Sequence, residues 1–458
     1  MQVKKPDLFG TSGIRGVVNL DFEPVLAIRL GVALAALFKE GMVTLARDTR
    51  TSGEMLSSAF TAGALAGGLE VTNLGVLPTP VLAYLTNSLG AATGAMITAS
   101  HNPPEFNGIK LFDRDGKAHS DALQTQIEHA LGDEKHPYAS WDQLRDVSSV
   151  DYSYRYIEKI LNQITLEKPW KVAVDYGSGA AYQIASELLQ SSGCHLVSLN
   201  AQPDGVFPGR SPEPTSESLS ALMTVVRSMN CDIGVAYDGD ADRVFLVDET
   251  GQGVDGDVAL SAFASYMVRK EGKGTVALPV DTSLAVQEAV EENGGKVTWT
   301  KVGDIYVAEA IVRKKAMFGG EPCGAWIHPS LHLCPDGILS SVLLLEALEE
   351  QGMTVRQFCS GIKRYAVRRG KIQCTNIAKS QVMSKIASNL PKALGNKTEI
   401  TQIDGIRVQI PEGWVLVRAS GTEPAVRVTV EARSTHLAED LFNITCDLCS
   451  SIARENLS

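Results

Sequence analysis

The chain has 458 residues, 44% of them hydrophobic and 21% charged, and a formal net charge of −11. That composition excludes a disordered chain and suits a globular protein of about three or four domains. The acidic balance argues against nucleic-acid or anionic-membrane partners, which need a basic field, so an anionic substrate must be met by local Arg and Lys.

The most apolar early stretch, Val25 to Phe38, is interrupted by Arg29 and is too short to span a bilayer. Lys4 and Lys5 are followed by Pro6 and Asp7 instead of an apolar signal core, and eight cysteines are scattered along the chain. Both features lead us to expect reduced thiols and a cytoplasmic location.

In chain order, Gly10-Thr11-Ser12-Gly13-Ile14-Arg15-Gly16 combines three glycines, two hydroxyls and an arginine, the composition of a phosphate-cradling loop. A strand over 43–46, a loop Asp48-Thr49-Arg50, a helix over 53–69, a strand over 70–74 and a turn at Pro78-Thr79-Pro80 then spell a β-α-β unit. Next, the apolar run ending at Met96-Ile97 delivers Ser100 and His101 into a segment with Pro103, Pro104 and the pair Asn107-Gly108, read as a rigid loop. Such a loop presents the Ser100 hydroxyl to a ligand at little entropic cost.

The β-α-β pattern with an Asp-plus-hydroxyl turn returns at Lys171–Asp175, leading to a strand at Leu199, and at Thr275–Val280, leading to a strand before Val302. Three such units point to three tandem α/β domains with mixed sheets. Beyond Ile372, alternation through Val426–Val430 and a closing amphipathic helix predict a smaller C-terminal α+β domain. The expected boundaries are 1–150, 151–252, 253–367 and 368–458. Cys446 and Cys449 fall among Leu437, Leu441, Ile444, Leu448 and Ile452 at helical spacing, so they are expected to pack rather than to react.

Between the second and third units, Asp238, Asp240 and Asp242 alternate, which lets three hard oxygens converge on one ion. An EF-hand is excluded, because Arg243 stands where its glycine is needed and Val244–Val247 reads as strand. With no histidine nearby, magnesium is favoured over zinc. Cys323, His328, His332 and Cys334 match no usual zinc spacing. Glu321, in a glycine-rich turn, suits sugar hydroxyls. Arg418, Ser420, Gly421 and Thr422, with Arg427 close by, suit a phosphate dianion.

Five segments, Thr11–Gly16, Thr98–Pro103, Asp238–Arg243, Gly320–Gly324 and Arg418–Pro424, resemble in order the motifs of the α-D-phosphohexomutase family, and the resemblance covers essentially the whole chain. It implies four domains around a central cleft, with one loop from each. It further implies a phosphoserine at Ser100, magnesium held by Ser100, Asp238, Asp240 and Asp242, and Arg15, Lys110, Arg243 and His101 lining the phosphoserine. Glu321 would contact the sugar, and Arg418, Ser420, Gly421, Thr422 and Arg427 the phosphate. The chain departs from the pattern at Cys323, which stands where much of the family has serine, and this touches the sugar contacts.

The reaction so implied moves phosphate between the 1- and 6-positions of a hexose through a hexose 1,6-bisphosphate, with a phosphosugar as the small-molecule partner. The segment Val302–Val307, with Asp304, resembles the form that this loop takes in the branch acting on glucosamine phosphate. Many mannose- and glucose-phosphate enzymes carry histidine there, and those sugars are the alternative. A carboxylate near C2 favours a protonated amino group over a hydroxyl. A hydrolase built on Ser100 and His101 is the competing class, but it lacks a G-x-S-x-G elbow. A silent phosphosugar-binding protein is disfavoured by the complete serine, metal and phosphate motifs.

Overall fold

The computed structural model describes residues 8–10, 13–133, 138–395, 399–420 and 424–455. The chain divides into two units, Met1–Gly256 with Met317–Ser360, and Asp257–Ala316 with Gly361–Ser458. Three α/β segments precede a smaller α+β segment, as the sequence pattern predicts. Among the described residues no helix is long and apolar enough to cross a membrane.

In the first unit a six-stranded mixed sheet runs Ile14–Val17, Phe106–Asp113, Thr93–Ile97, Met42–Arg47, Glu70–Val76, Val147–Ser149. The last four strands are parallel, and Phe106–Asp113 is antiparallel to both of its neighbours. Thr93–Ile97 is buried at every position, the signature of a strand covered on both faces. A second sheet, Val244–Val247, Ile233–Tyr237, Lys171–Asp175, His195–Leu199, is parallel except at its first strand. This unit also holds the antiparallel pair Phe318–Gly320 and Trp326–Ile327.

Three local readings are corrected. Asn107-Gly108 is no turn but lies inside a strand, opposite Gly16 and Arg15. A β-carbon on Gly108 would collide with the Ile14 carbonyl, so the glycine permits the close pairing, and buried Asn107 donates to Ser52 Oγ at 2.9 Å. Within the predicted Gly10–Gly16 loop, Ile14–Gly16 is strand instead, since Ile14–Val17 pairs as the edge strand. Thr11 and Ser12 lie outside the described residues. Pro78-Thr79-Pro80 is the start of the helix Thr79–Ser88, where proline's fixed φ and missing N–H are tolerated.

In the second unit Thr275–Pro279 and Lys296–Thr300 pair in parallel beside the helix Leu284–Glu292. The strands Ala366–Gln373, Ala425–Ala432, Gly413–Ala419, Ile406–Ile410 and Glu399–Thr401 form an all-antiparallel sheet. Its inner face, Val408, Val415, Val417, Val426, Val428 and Val430, packs on the helices Lys379–Leu394 and Thr435–Glu455. Cys449 is buried there and Cys446 packs at its margin, so both are packing residues.

Candidate active site

Ser100 follows the buried strand Thr93–Ile97 and is itself fully buried, in the left-handed region at φ 50°. A side-chain-bearing residue held there costs of order 1–3 kcal/mol, so its surroundings must impose the conformation. Arg50 does most of this. Its guanidinium donates to the carbonyls of Ser100 (2.8 Å), Asn102 (2.6 Å), Pro103 (2.6 Å) and Phe106 (2.8 Å), and Nε pairs with Asp48 at 3.1 Å. Asp48 also accepts from Thr98 Oγ1 at 2.6 Å, and that hydroxyl accepts from the Ser100 N–H at 2.8 Å. Burial raises the Asp48 pKa, with Arg50 and Thr98 opposing it. The Asp48-Thr49-Arg50 loop, read in the sequence only as part of a β-α-β unit, is thus the mould of the Ser100 loop.

Opposite it lies the acidic loop. Ser100 Oγ donates to Asp238 Oδ2 at 2.6 Å, and one oxygen each from Asp238, Asp240 and Asp242 lies within 4.8 Å of the others, all three residues buried. Gly239 permits this approach, because a β-carbon there would meet the Ser100 carbonyl. Thr79 clamps the loop from another direction, its N–H to the Asp240 carbonyl at 2.9 Å and Oγ1 to Asp240 Oδ2 at 2.5 Å. Arg210 holds the Tyr237 carbonyl at 2.6 Å and pairs with Asp175 at 3.0 Å. Neither Thr79 nor Arg210 was legible, since their partners lie far along the chain.

Lys110, on the strand Phe106–Asp113, reaches Asp240 Oδ2 at 2.7 Å and Asp242 Oδ2 at 2.5 Å. Burial opposes its charge, but the two carboxylates outweigh burial and raise its pKa above the ordinary lysine value. For Asp240, burial likewise disfavours charge, and Lys110 overrides it, holding the group below the usual carboxylate range. Asp238 goes the other way, pushed up by burial and then by Asp242 and Asp240. Asp240 Oδ1 and Asp242 Oδ1 are buried and accept no hydrogen bond, while Arg243 Nε stands 3.8 Å from the latter. All the convergent donors are oxygens, one pair of them without hydrogen bonds, which fits a hard divalent cation.

His101 Nδ1 is 3.3 Å from Ser100 Oγ. Burial, and then Arg243 and Arg15, lower its pKa to about 3, so the imidazole is neutral at neutral pH. Arg15 donates to Asn102 Oδ1 at 2.9 Å. Glu321 and Cys323 sit on the hairpin turn between Phe318–Gly320 and Trp326–Ile327, tied to the acidic loop by the Val244 N–H on the Gly324 carbonyl at 3.1 Å. Cys323 Sγ is 3.8 Å from Glu321 Oε2, and burial pushes the thiol up to about 12, Glu321 adding to this and Arg243 opposing it. The thiol therefore stays protonated and can act as a weak donor. His328 and His332 are engaged by Ser340 and Asp336, both at 2.8 Å.

The first unit thus gathers Ser100, His101, Lys110, Arg15, Arg243, the three aspartates, Glu321 and Cys323. The second carries the rest. Arg418 pairs with Asp404 at 2.7 Å and stands 3.8 Å from Asp281. Buried Ser420 receives Lys379 Nζ on its carbonyl at 2.6 Å. Arg427 lies opposite Arg418 in the sheet, and Asp304 opens the helix Asp304–Lys314, where exposed amides favour a carboxylate. Gly421 and Thr422 lie outside the described residues.

Models of the phosphoglucomutase/phosphomannomutase family match the chain in order, α/β/α domain I over residues 6–137, domain II over 154–252, domain III over 255–365 and the C-terminal domain over 371–448. The chain belongs to this family. Within it, the chain is 42% identical over 434 residues to a probable phosphoglucosamine mutase of Pyrococcus abyssi, covering 95% of this chain and 96% of that one. It is 40% identical over 443 residues to a phosphoglucosamine mutase of Methanococcus maripaludis, at 95% and 96% coverage. Among solved structures, a phosphoglucomutase/phosphomannomutase family protein of Burkholderia thailandensis matches with a TM-score of 0.88 and 27% identity, over 97% of each chain.

Proposed function

We propose that this enzyme interconverts glucosamine 6-phosphate and glucosamine 1-phosphate through a phosphorylated Ser100 and the 1,6-bisphosphate. The observation that carries the reading is the Ser100 hydroxyl 2.6 Å from Asp238, within a buried aspartate triad in which two oxygens accept no hydrogen bond. Asp238, Asp240 and Asp242, with an oxygen of the Ser100 side chain, are the residues that would hold magnesium. When bound, magnesium supplies positive charge to the phosphoryl group in transfer.

The chain's own residues do the remainder. The bond from phosphorus to Ser100 Oγ breaks as a bond forms to the free sugar hydroxyl, and that hydroxyl's proton ends on Ser100. His101, neutral and 3.3 Å away, serves as its relay. Lys110, Arg15 and Arg243 stabilise the transferring charge from fixed positions. Transfer of the second phosphate back to Ser100 restores the enzyme. Arg418, Ser420, Gly421, Thr422 and Arg427 hold the phosphate that is not reacting, and Glu321 and Cys323 meet the sugar.

The sugar assignment rests on the relatives' names and on Asp304, an anion suited to a 2-ammonium group. A cytoplasmic location agrees with eight cysteines that form no disulfide. Parallel assays on glucosamine, mannose and glucose phosphates, each primed with its bisphosphate, test the substrate. A higher specificity constant for mannose or glucose phosphate overturns the sugar and leaves the mutase standing. Peptide mapping that finds phosphate solely on another residue removes the mechanism.

A further inference from the structure

Successive carbonyls of the acidic loop are each held by a different segment of the first unit. The Ala180 N–H donates to Gly239 at 3.0 Å, the Thr79 N–H to Asp240 at 2.9 Å and the Gly337 N–H to Ala241 at 3.1 Å. Ala180 lies just before the helix Tyr182–Ser191, while Thr79 and Gly337 open the helices Thr79–Ser88 and Gly337–Gln351. The loop needs such holding, because Ala241 lies in the left-handed region at φ 59°, a conformation that its surroundings must impose. Gly337 brings its helix hard against the loop, since a β-carbon there would meet the Arg243 carbonyl.

Asp336 fixes the start of the helix Gly337–Gln351. Its buried carboxylate accepts the Leu339 N–H on Oδ1 at 2.8 Å and the Tyr156 hydroxyl on Oδ2 at 2.7 Å, with His332 Nε2 also 2.8 Å from Oδ2. Capping the helix takes Oδ1 alone, and a serine or asparagine would do as much without burying a carboxylate. Oδ2 has a second use: it ties the cap to Tyr156, on the helix Ser153–Leu161, and to His332. Both rings meet Tyr84 edge to face, at 5.8 and 6.3 Å, and each other at 6.5 Å. Tyr84 belongs to the helix that Thr79 opens. One aromatic cluster therefore joins the two helices whose first residues hold the Asp240 and Ala241 carbonyls.

We propose that Tyr156, His332 and Asp336 are positioning residues for the acidic loop, and that their hydrogen bonds set its affinity for a divalent cation. With Oδ2 held from two sides the Asp336 side chain keeps one rotamer, and the first turn of its helix keeps one place. The Ala241 carbonyl is then fixed between Asp240 and Asp242. When one donor is lost the loop samples other arrangements, the ion binds only the competent fraction, and the apparent affinity falls by that fraction. This rests on the reading above that Asp238, Asp240 and Asp242 hold the metal, and it adds three residues outside the five motifs. A merely structural role predicts a lower melting temperature at unchanged ion affinity.

The probe is manganese, whose binding to the full chain is read from the paramagnetic resonance signal of the free ion, without turnover. Tyr156→Phe deletes the hydroxyl and keeps the ring, and His332→Leu deletes the other donor. Each is expected to raise the manganese dissociation constant about fivefold, the equivalent of one net hydrogen bond. Thr93→Val removes a buried hydroxyl bonded to the Phe112 carbonyl at 2.8 Å in the same unit, and it should leave ion affinity unchanged whatever it does to melting. The magnesium concentration for half-maximal turnover of Tyr156→Phe should rise in step, with the maximal rate retained. Unchanged manganese affinity in either donor variant that still melts cooperatively overturns the proposal. So does an equal weakening in Thr93→Val, which makes the effect a general softening. Absence of manganese binding by the unaltered protein overturns the metal reading as well, so the two failures are told apart.

Discussion

Replacing Arg50 by lysine keeps the charge and the approximate length while removing the planar fork, and it isolates the mould of the Ser100 loop from the chemistry. Arg50 is 1% exposed and makes five polar contacts of 2.6–3.1 Å, four of them to loop carbonyls. A lysine ammonium radiates three donors from one point and leaves at least two of those five contacts unmet in a dry site. At about 1–3 kcal/mol for each buried group without a partner, the loss is about 2–6 kcal/mol. For a folding unit of this size that lowers the melting temperature by about 5–15 °C.

The effect on catalysis is separable. Ser100 at φ 50° loses the clamp on its own carbonyl and relaxes, and a displacement of about 1 Å at a reacting atom lowers turnover on the order of 100-fold. Melting followed by circular dichroism, turnover with glucosamine phosphate, and phosphate content at Ser100 by mass spectrometry make the test. A melting temperature within about 2 °C of the unaltered enzyme, with turnover within about threefold, refutes the claim that Arg50 imposes the loop conformation.

Ser100→Ala should abolish turnover and the phosphopeptide while costing the fold only the one hydrogen bond to Asp238, a fall in melting temperature of about 2–10 °C. Asp240→Asn removes one ligand oxygen's charge and one partner of Lys110, so activity should fall far more than stability and recover in part with excess magnesium, as a magnesium titration of turnover will show. The buried histidines predict the acid limb of stability. Burial lowers the pKa of His119 to about 4 and that of His328 to about 3, so the folded state resists protons that the unfolded state accepts below about pH 6.5. Stability is full above that pH and falls on acidification toward the folded values, by about 2 kcal/mol for each histidine at pH 5. Melting of His119→Gln and the unaltered enzyme across pH 5–8 will show the variant's slope to be shallower.

The family and the chemistry were legible because they are carried by contiguous loops. Ser100-His101, Asp238 to Asp242, Glu321 to Cys323 and Arg418 to Thr422 each follow an apolar strand, and such residue types in such short spans have few other uses. The same local signal failed at Asn107-Gly108 and at Ile14 to Gly16, where turn-forming residues sit inside paired strands because a glycine admits a neighbouring backbone. Propensity describes a segment alone, and pairing across ninety residues overrides it.

What only the tertiary structure decided is how the loops are held. Arg50 acts on carbonyls about fifty residues away, Thr79 on Asp240 across 161 positions, and Lys110 on Asp240 and Asp242 across 130 and 132. Motifs are local because the reacting groups must be close in sequence to share one rigid loop. Their supports are distant because a buried cation or hydroxyl is satisfied by whichever backbone the fold brings against it, and that choice is made by packing, which leaves no periodic trace along the chain.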